Sequence, residues 1–128
     1  MVLNAIRRHR LHLYWACVHF HKGSRLMSNI ANVQVGAVIP FTITPTWSDG
    51  LAHDESKITV TAVNADTIST ITMTGQFTGT FTGVAAGVDN GHFVLTDAGS
   101  NSTVTAPFIL TVEALPVITL VGATVNFG

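Results

Sequence analysis

From residue 57 onward, threonine and apolar side chains take turns at every second position. In Lys57–Val63, Ile58, Val60 and Ala62 alternate with Thr59 and Thr61. In Ser69–Thr74, Ile71 and Met73 alternate with Thr70, Thr72 and Thr74. In Gln76–Gly83, Phe77, Gly79, Phe81 and Gly83 share one set of positions, and Thr78, Thr80 and Thr82 the other. Successive side chains of a strand point to opposite faces, so each segment reads as a strand with one packed and one wet face. Threonine, β-branched and hydroxylated, suits the wet face. No segment carries a helical period. Further strands are expected at Gln34–Thr46, broken near Pro40, and at His92–Thr96, Thr103–Val112, Val117–Val121 and Thr124–Phe127. Pro40 and Pro107 cannot donate to a ladder and should sit at an edge, bulge or bend. Turns are expected at Asp49–Gly50, Asn64–Asp66 and Asp97–Ser102. Asp89-Asn90-Gly91 is the strongest hairpin signal, because Asn-Gly tolerates the positive φ of a type I′ turn. Seven to nine short strands so punctuated argue for an antiparallel sandwich.

Composition breaks at Met27. All four arginines and Lys22 precede it. One lysine, Lys57, and all seven acidic residues follow it, so a chain of net charge −1 divides into a basic leader and a body of −6. The leader holds Cys17, the sole cysteine, and four of the six histidines. Three readings compete for it. As a signal peptide or membrane-surface helix it has a basic start, but His12 and His19 interrupt the apolar stretch and no small-residue cleavage pattern follows. As a nucleic-acid or metal arm, its His9, His12, Cys17, His19 and His21 lack any organising ligand spacing. The preferred reading is sequence upstream of the true start: residues 1–26 form a leader outside the core, and residues 27–128 form one sandwich domain. No apolar run reaches the length of a membrane helix, so no membrane partner is expected. The near absence of cations after Met27 argues against phosphate or nucleic-acid ligands.

Catalysis would require a nucleophile, a base and an orienting group that converge. The body offers His53 and His92 as its imidazoles, both expected in solvated loops, and no G-x-S-x-G, P-loop or dinucleotide fingerprint. No enzyme and no cofactor are expected. Asp49, Asp54, Glu55, Asp66, Asp89 and Asp97 all fall in expected loops. Sandwich loops can hold Ca²⁺ with such carboxylates, but no D-x-D-x-D run exists and turn-forming Asp is the simpler reading. Trp47 reads as a core or rim anchor; an exposed indole would instead offer a face for stacking on a sugar. The T-x-T pairs are irregularly spaced along the chain, so no stacked solenoid is implied. Asn101-Ser102-Thr103 matches the N-glycosylation pattern. The candidate binding residues are Trp47, Asp49, His53, Asp54, Glu55, Asp89, Asn90 and Asp97, with no metal ligands assigned.

The end of the chain carries a resemblance. The loop Thr96-Asp97-Ala98-Gly99-Ser100-Asn101-Ser102, the strand Thr103–Val112 and the run Pro116-Val117-Ile118-Thr119-Leu120 resemble the close of bacterial and phage immunoglobulin-like (Big-type) domains. The resemblance implies an immunoglobulin-like β-sandwich and a non-catalytic surface or virion module. The expected role is a phage virion protein that decorates a capsid or tail, or adheres weakly to host cells or glycans. The alternatives are a bacterial cell-surface adhesin fragment or a carbohydrate-binding module. The expected partners are other virion or surface proteins, reached through residues 117–127. Those residues would either close the domain's own sheet or add to the edge of a neighbour.

Overall fold

A computed structural model describes residues 11–23 and 25–117, together with residues 122, 124, 125 and 127. Among the described residues the regular elements are nine strands: β1 (Leu13–Lys22), β2 (Arg25–Leu26), β3 (Ile30–Gln34), β4 (Val38–Trp47), β5 (Ile58–Val63), β6 (Ser69–Met73), β7 (Thr78–Gly83), β8 (Gly87–Asp97) and β9 (Ser102–Glu113). They form a five-stranded sheet, β2-β1-β4-β7-β6, facing a four-stranded sheet, β3-β9-β8-β5. All neighbours are antiparallel except β3, which runs parallel to β9. The order β1-β4-β7-β6 against β9-β8-β5 is the A-B-E-D and G-F-C order of the immunoglobulin fold. The first strand of that fold is split here, β1 on one sheet and β3 on the other. The chain is an immunoglobulin-like β-sandwich.

The expected alternation is realised strand by strand. Ile39, Phe41 and Ile43 of β4, Phe81 of β7, Phe93 and Leu95 of β8, and Ala106, Phe108, Leu110 and Val112 of β9 are buried between the sheets. Five phenylalanines form the centre. The Phe81 ring lies 5.3 Å from Phe20, 5.0 Å from Phe41, 6.1 Å from Phe93 and 4.7 Å from Phe108. β4 and β8 are the strands that antibody domains join by a disulfide. Here Phe41 meets Phe93 at 5.0 Å instead. The threonines take the outer faces, and register aligns them across strands: Thr42 opposite Thr78, Thr72 opposite Thr80, Thr70 opposite Thr82. Irregular spacing along the chain therefore becomes regular rows on the sheet.

Two expectations are corrected. Residues 1–26 were expected to lie outside the core, yet β1 pairs with β4 from Leu13↔Trp47 to Phe20↔Phe41. Leu13, Ala16, Val18 and Phe20 are all buried. The two interrupting histidines do not break the strand. His19 is half-buried with Nδ1 3.2 Å from the Met27 carbonyl, and His12 precedes the first ladder pair. Period 2, hidden among charge and imidazole, outweighs the change in composition. Residues 1–10 lie outside the described residues.

The second correction concerns Asp89-Asn90-Gly91, which is no turn. These residues sit inside β8, in an unbroken ladder with β9 from Gly87↔Val112 to Asp97↔Ser102. The β8–β9 turn is the polar loop at 98–101, where Asn101 has φ 54°. Gly91 is needed for space: a Cβ there would meet the Phe108 ring and lie 2.5 Å from the Val63 carbonyl oxygen. The Asp89 carboxylate is buried. It accepts from the Ala65 N–H at 2.9 Å and the Ser69 hydroxyl at 2.5 Å, and so ties β8 to the β5–β6 turn. His92, expected in a loop, is half-buried in β8 opposite Pro107.

Both prolines stand where, among the described residues, one flank of their strand carries no ladder. The β1 ladder on β4 stops at Phe41, next to Pro40, and the β3 ladder on β9 starts at Ile109, beyond Pro107. The expected strands at 117–121 and 124–127 fall mostly outside the described residues.

Two outcomes are expected. A chain beginning at Met27 loses four core side chains and an interior ladder, and should lack a cooperative thermal transition by near-UV circular dichroism; a sharp transition like that of the full chain would show β1 to be dispensable. Gly91→Ala should destabilise by about 1–3 kcal/mol, the usual cost of overpacking, as read from the urea midpoint.

Candidate binding cleft at the loop end

The β4–β5 loop (48–57) and the β8–β9 loop (98–101) lie at the same end of the sandwich, because β4 and β9 run towards and away from it in neighbouring layers. Backbone bonds from the start of β1 join them. The His12 N–H donates to Ser48 Oγ at 3.2 Å, the Ser48 N–H donates to the His12 carbonyl at 2.9 Å, and the Leu13 N–H donates to Ser102 Oγ at 3.0 Å. Between the loops is a cleft of about 430 Å³ lined by Leu11, Trp47, His53, Asp54, Lys57, Asp97, Gly99 and Ser100.

Trp47 is the last residue of β4 and forms the cleft's base. It is 5% exposed, as expected of a core or rim anchor, because pairing opposite Leu13 turns the ring into the core; the alternative of an exposed indole for sugar stacking is not met. Its Nε1–H is buried with no acceptor among the described residues. Leaving such a donor unpaired costs about 1–3 kcal/mol. The His53 ring stands edge-on to Trp47, 5.4 Å between centroids. His53 Nε2 lies 2.7 and 2.9 Å from the two carboxylate oxygens of Asp49.

The acids of the loops serve their own backbone. The Leu51 N–H donates to Asp49 at 2.9 Å, and this bond, supported by His53, holds the Asp49 carboxyl below its ordinary range. The Ser56 N–H donates to Asp54 at 2.9 Å and, with the Ser56 side chain and the Lys57 charge, lowers its pKa too. Asp97 accepts from the Ser100 hydroxyl at 2.6 Å and the Ser100 N–H at 2.8 Å. The hydroxyl bond is the main reason its pKa is lowered, with the Gly99 N–H and Lys57 adding to it. These are turn-closing carboxylates. The carboxylates weighed for Ca²⁺ do not converge: among the described residues no three His, Cys, Asp or Glu side chains form a metal-holding group.

Of the eight candidates from sequence, Trp47, His53, Asp54 and Asp97 line the cleft, and Asp49 orients His53 from behind. Glu55 does not line it; its carbonyl accepts from Gln76 Nε2 at 2.7 Å. Asp89 and Asn90 lie elsewhere. Asp89 is eight residues along β8 from Asp97, about 27 Å at strand rise, and is used internally, while Asn90 faces solvent opposite Ile109. Leu11, Lys57, Gly99 and Ser100 were missed. Lys57 had a signal, as the one cation of the body; Leu11 had none, since it lies in the stretch set aside as leader.

The Asp97–Ser100 contact gives a pH prediction. A carboxyl whose folded pKa is lowered contributes stability above its unfolded value, about 3.9, and loses that contribution as pH falls through the folded value. Ser100→Ala should raise the Asp97 midpoint in an NMR carboxyl titration. It should also destabilise the domain at neutral pH, with the difference from wild type shrinking in acid.

No family model matches the chain, and no curated protein matches it. Among solved structures, an endo-fucoidan hydrolase from glycoside hydrolase family 107 is similar over 70% of this chain, at 20% identity and a TM-score of 0.48. The alignment spans 13% of that hydrolase's length. A complex of titin and obscurin-like 1 immunoglobulin domains is similar over 69% of this chain and 89% of the other, at 17% identity and a TM-score of 0.35.

Proposed function

We propose that this chain is a non-catalytic binding and assembly module of the Big-type immunoglobulin-like class, carried on the surface of a virion, with the loop-end cleft as its contact site. The supporting observation is how the cleft's polar groups are engaged. His53 is engaged with Asp49, and the Ser100 hydroxyl lies 2.6 Å from both Asp97 and the Ser102 hydroxyl. The imidazole and the hydroxyl are bonded to these partners rather than to each other, which supports a binding reading over acyl transfer, where a base and a nucleophile would meet. Such an end, built from the loops that follow the second and sixth strands of the fold, is the position immunoglobulin-like domains use for recognition. The uncharged threonine faces suit a domain seated among neighbours.

Intact-mass spectrometry of purified particles and of cell fractions from the source tests the reading. A species in the particles that retains β1 supports it. A species confined to the cell envelope overturns it in favour of a surface adhesin. Within particles, His53→Ala with Asp54→Ala should lower host-cell attachment by about tenfold, a loss of ~1.4 kcal/mol, with the melting temperature nearly unchanged; unchanged attachment would remove the cleft from the role.

A further inference from the structure

The split of the first strand leaves a gap. β1 leaves β4 at Phe41 and turns into β2, so among the described residues Val38–Pro40 of β4 have no ladder on that side. Across the gap, β3 is the edge of the smaller sheet. Between these two open flanks runs a groove of about 650 Å³, lined chiefly by Met27, Ile30, Ala31, Val33, Val38 and Ile39, with Lys22 as its one charge. Ile30 and Val38 are 51% and 56% exposed. Edge strands are commonly protected by charge, proline or a bulge. The run Ile30-Ala31-Asn32-Val33-Gln34 has neither charge nor proline, and its ladder with β9 is regular.

The same chain carries a segment of matching chemistry. Residues 114–128 contain no charged side chain. In extended form Val117, Val121, Val125 and Phe127 fall on one face, at even spacing. Val117, Val125 and Phe127 are 89%, 73% and 94% exposed in the single chain, so the domain's own groove does not cover them.

We propose that this segment of one copy adds as a strand to the free edge of β3 in a second copy, its apolar face over the groove between β3 and β4. Main-chain hydrogen bonds would then complete both open flanks, and the side chains would fill the groove, as in strand addition generally. The contact is heterologous, tail to groove, so each copy keeps a free tail and a free groove for further copies. The inference deepens the assembly half of the proposed function, but it is tested on the purified chain and can fail while the virion reading stands.

The experiment is sedimentation velocity on four samples. The full chain should self-associate with rising concentration. A chain ending at Leu115 should be monomeric, and so should Ile30→Lys with Val38→Lys, two exposed positions whose replacement leaves the core intact. Mixing the truncated chain with the lysine variant should restore a one-to-one pair, because one supplies the groove and the other the tail. Three results would overturn the proposal: a full chain that stays monomeric at every concentration, a truncated chain that associates like the full one, or a mixture that fails to pair although both variants melt cooperatively.

Discussion

The two sheets are held in register by the contact of Phe81 with four other rings. Phe20, Phe41 and Phe81 come from one sheet and Phe93 and Phe108 from the other, so the cluster does by packing what a disulfide does in antibody domains. Tilted and edge-on aromatic pairs add about 0.5–1.5 kcal/mol each beyond area burial, and they demand close approach. Gly79 and Gly91 provide it: a Cβ at Gly79 would stand 2.8 Å from the Phe41 ring, and one at Gly91 would meet that of Phe108. With no cysteine among residues 27–128, the cluster bears the inter-sheet load.

Phe20 makes β1 part of that arrangement. Its ring touches Phe81, and its strand covers the flank of β4 that would otherwise be open. The same strand governs both ends of the domain. At one end, its first residues tie the β4–β5 and β8–β9 loops together and form part of the cleft. At the other, its departure from β4 leaves the groove beside β3. The loop-end cleft and the groove beside β3 thus depend on the same split strand.

Much of the fold was legible along the chain. The Thr–apolar alternation located β5, β6 and β7, and the Asp97–Ser102 loop was recognised as a turn, because period 2 and turn chemistry are local properties. The cleft was half legible: Asp49, His53 and Asp54 cluster because they are close in sequence, while Asp97, expected in a loop, is the buried last residue of β8. The Asp89-Asn90-Gly91 reading failed because the same residue types serve a different end inside a strand. Asp89 is a buried acceptor and Gly91 a gap for a ring, and both roles are set by residues far along the chain.

The sequence by itself determined that this is an all-β chain with one face of each strand packed and the other hydroxyl-lined, since side-chain direction follows from residue parity. It also determined that the strands are joined by polar loops with a single lysine among residues 27–128. Only the tertiary structure decided that Leu13–Lys22 form an interior strand, that scattered threonines align in rows, and that the indole at the end of β4 lies beneath a cleft. Those outcomes depend on which strands become neighbours. That choice was made by the long-range fit of five aromatic rings between two sheets, which no local pattern encodes.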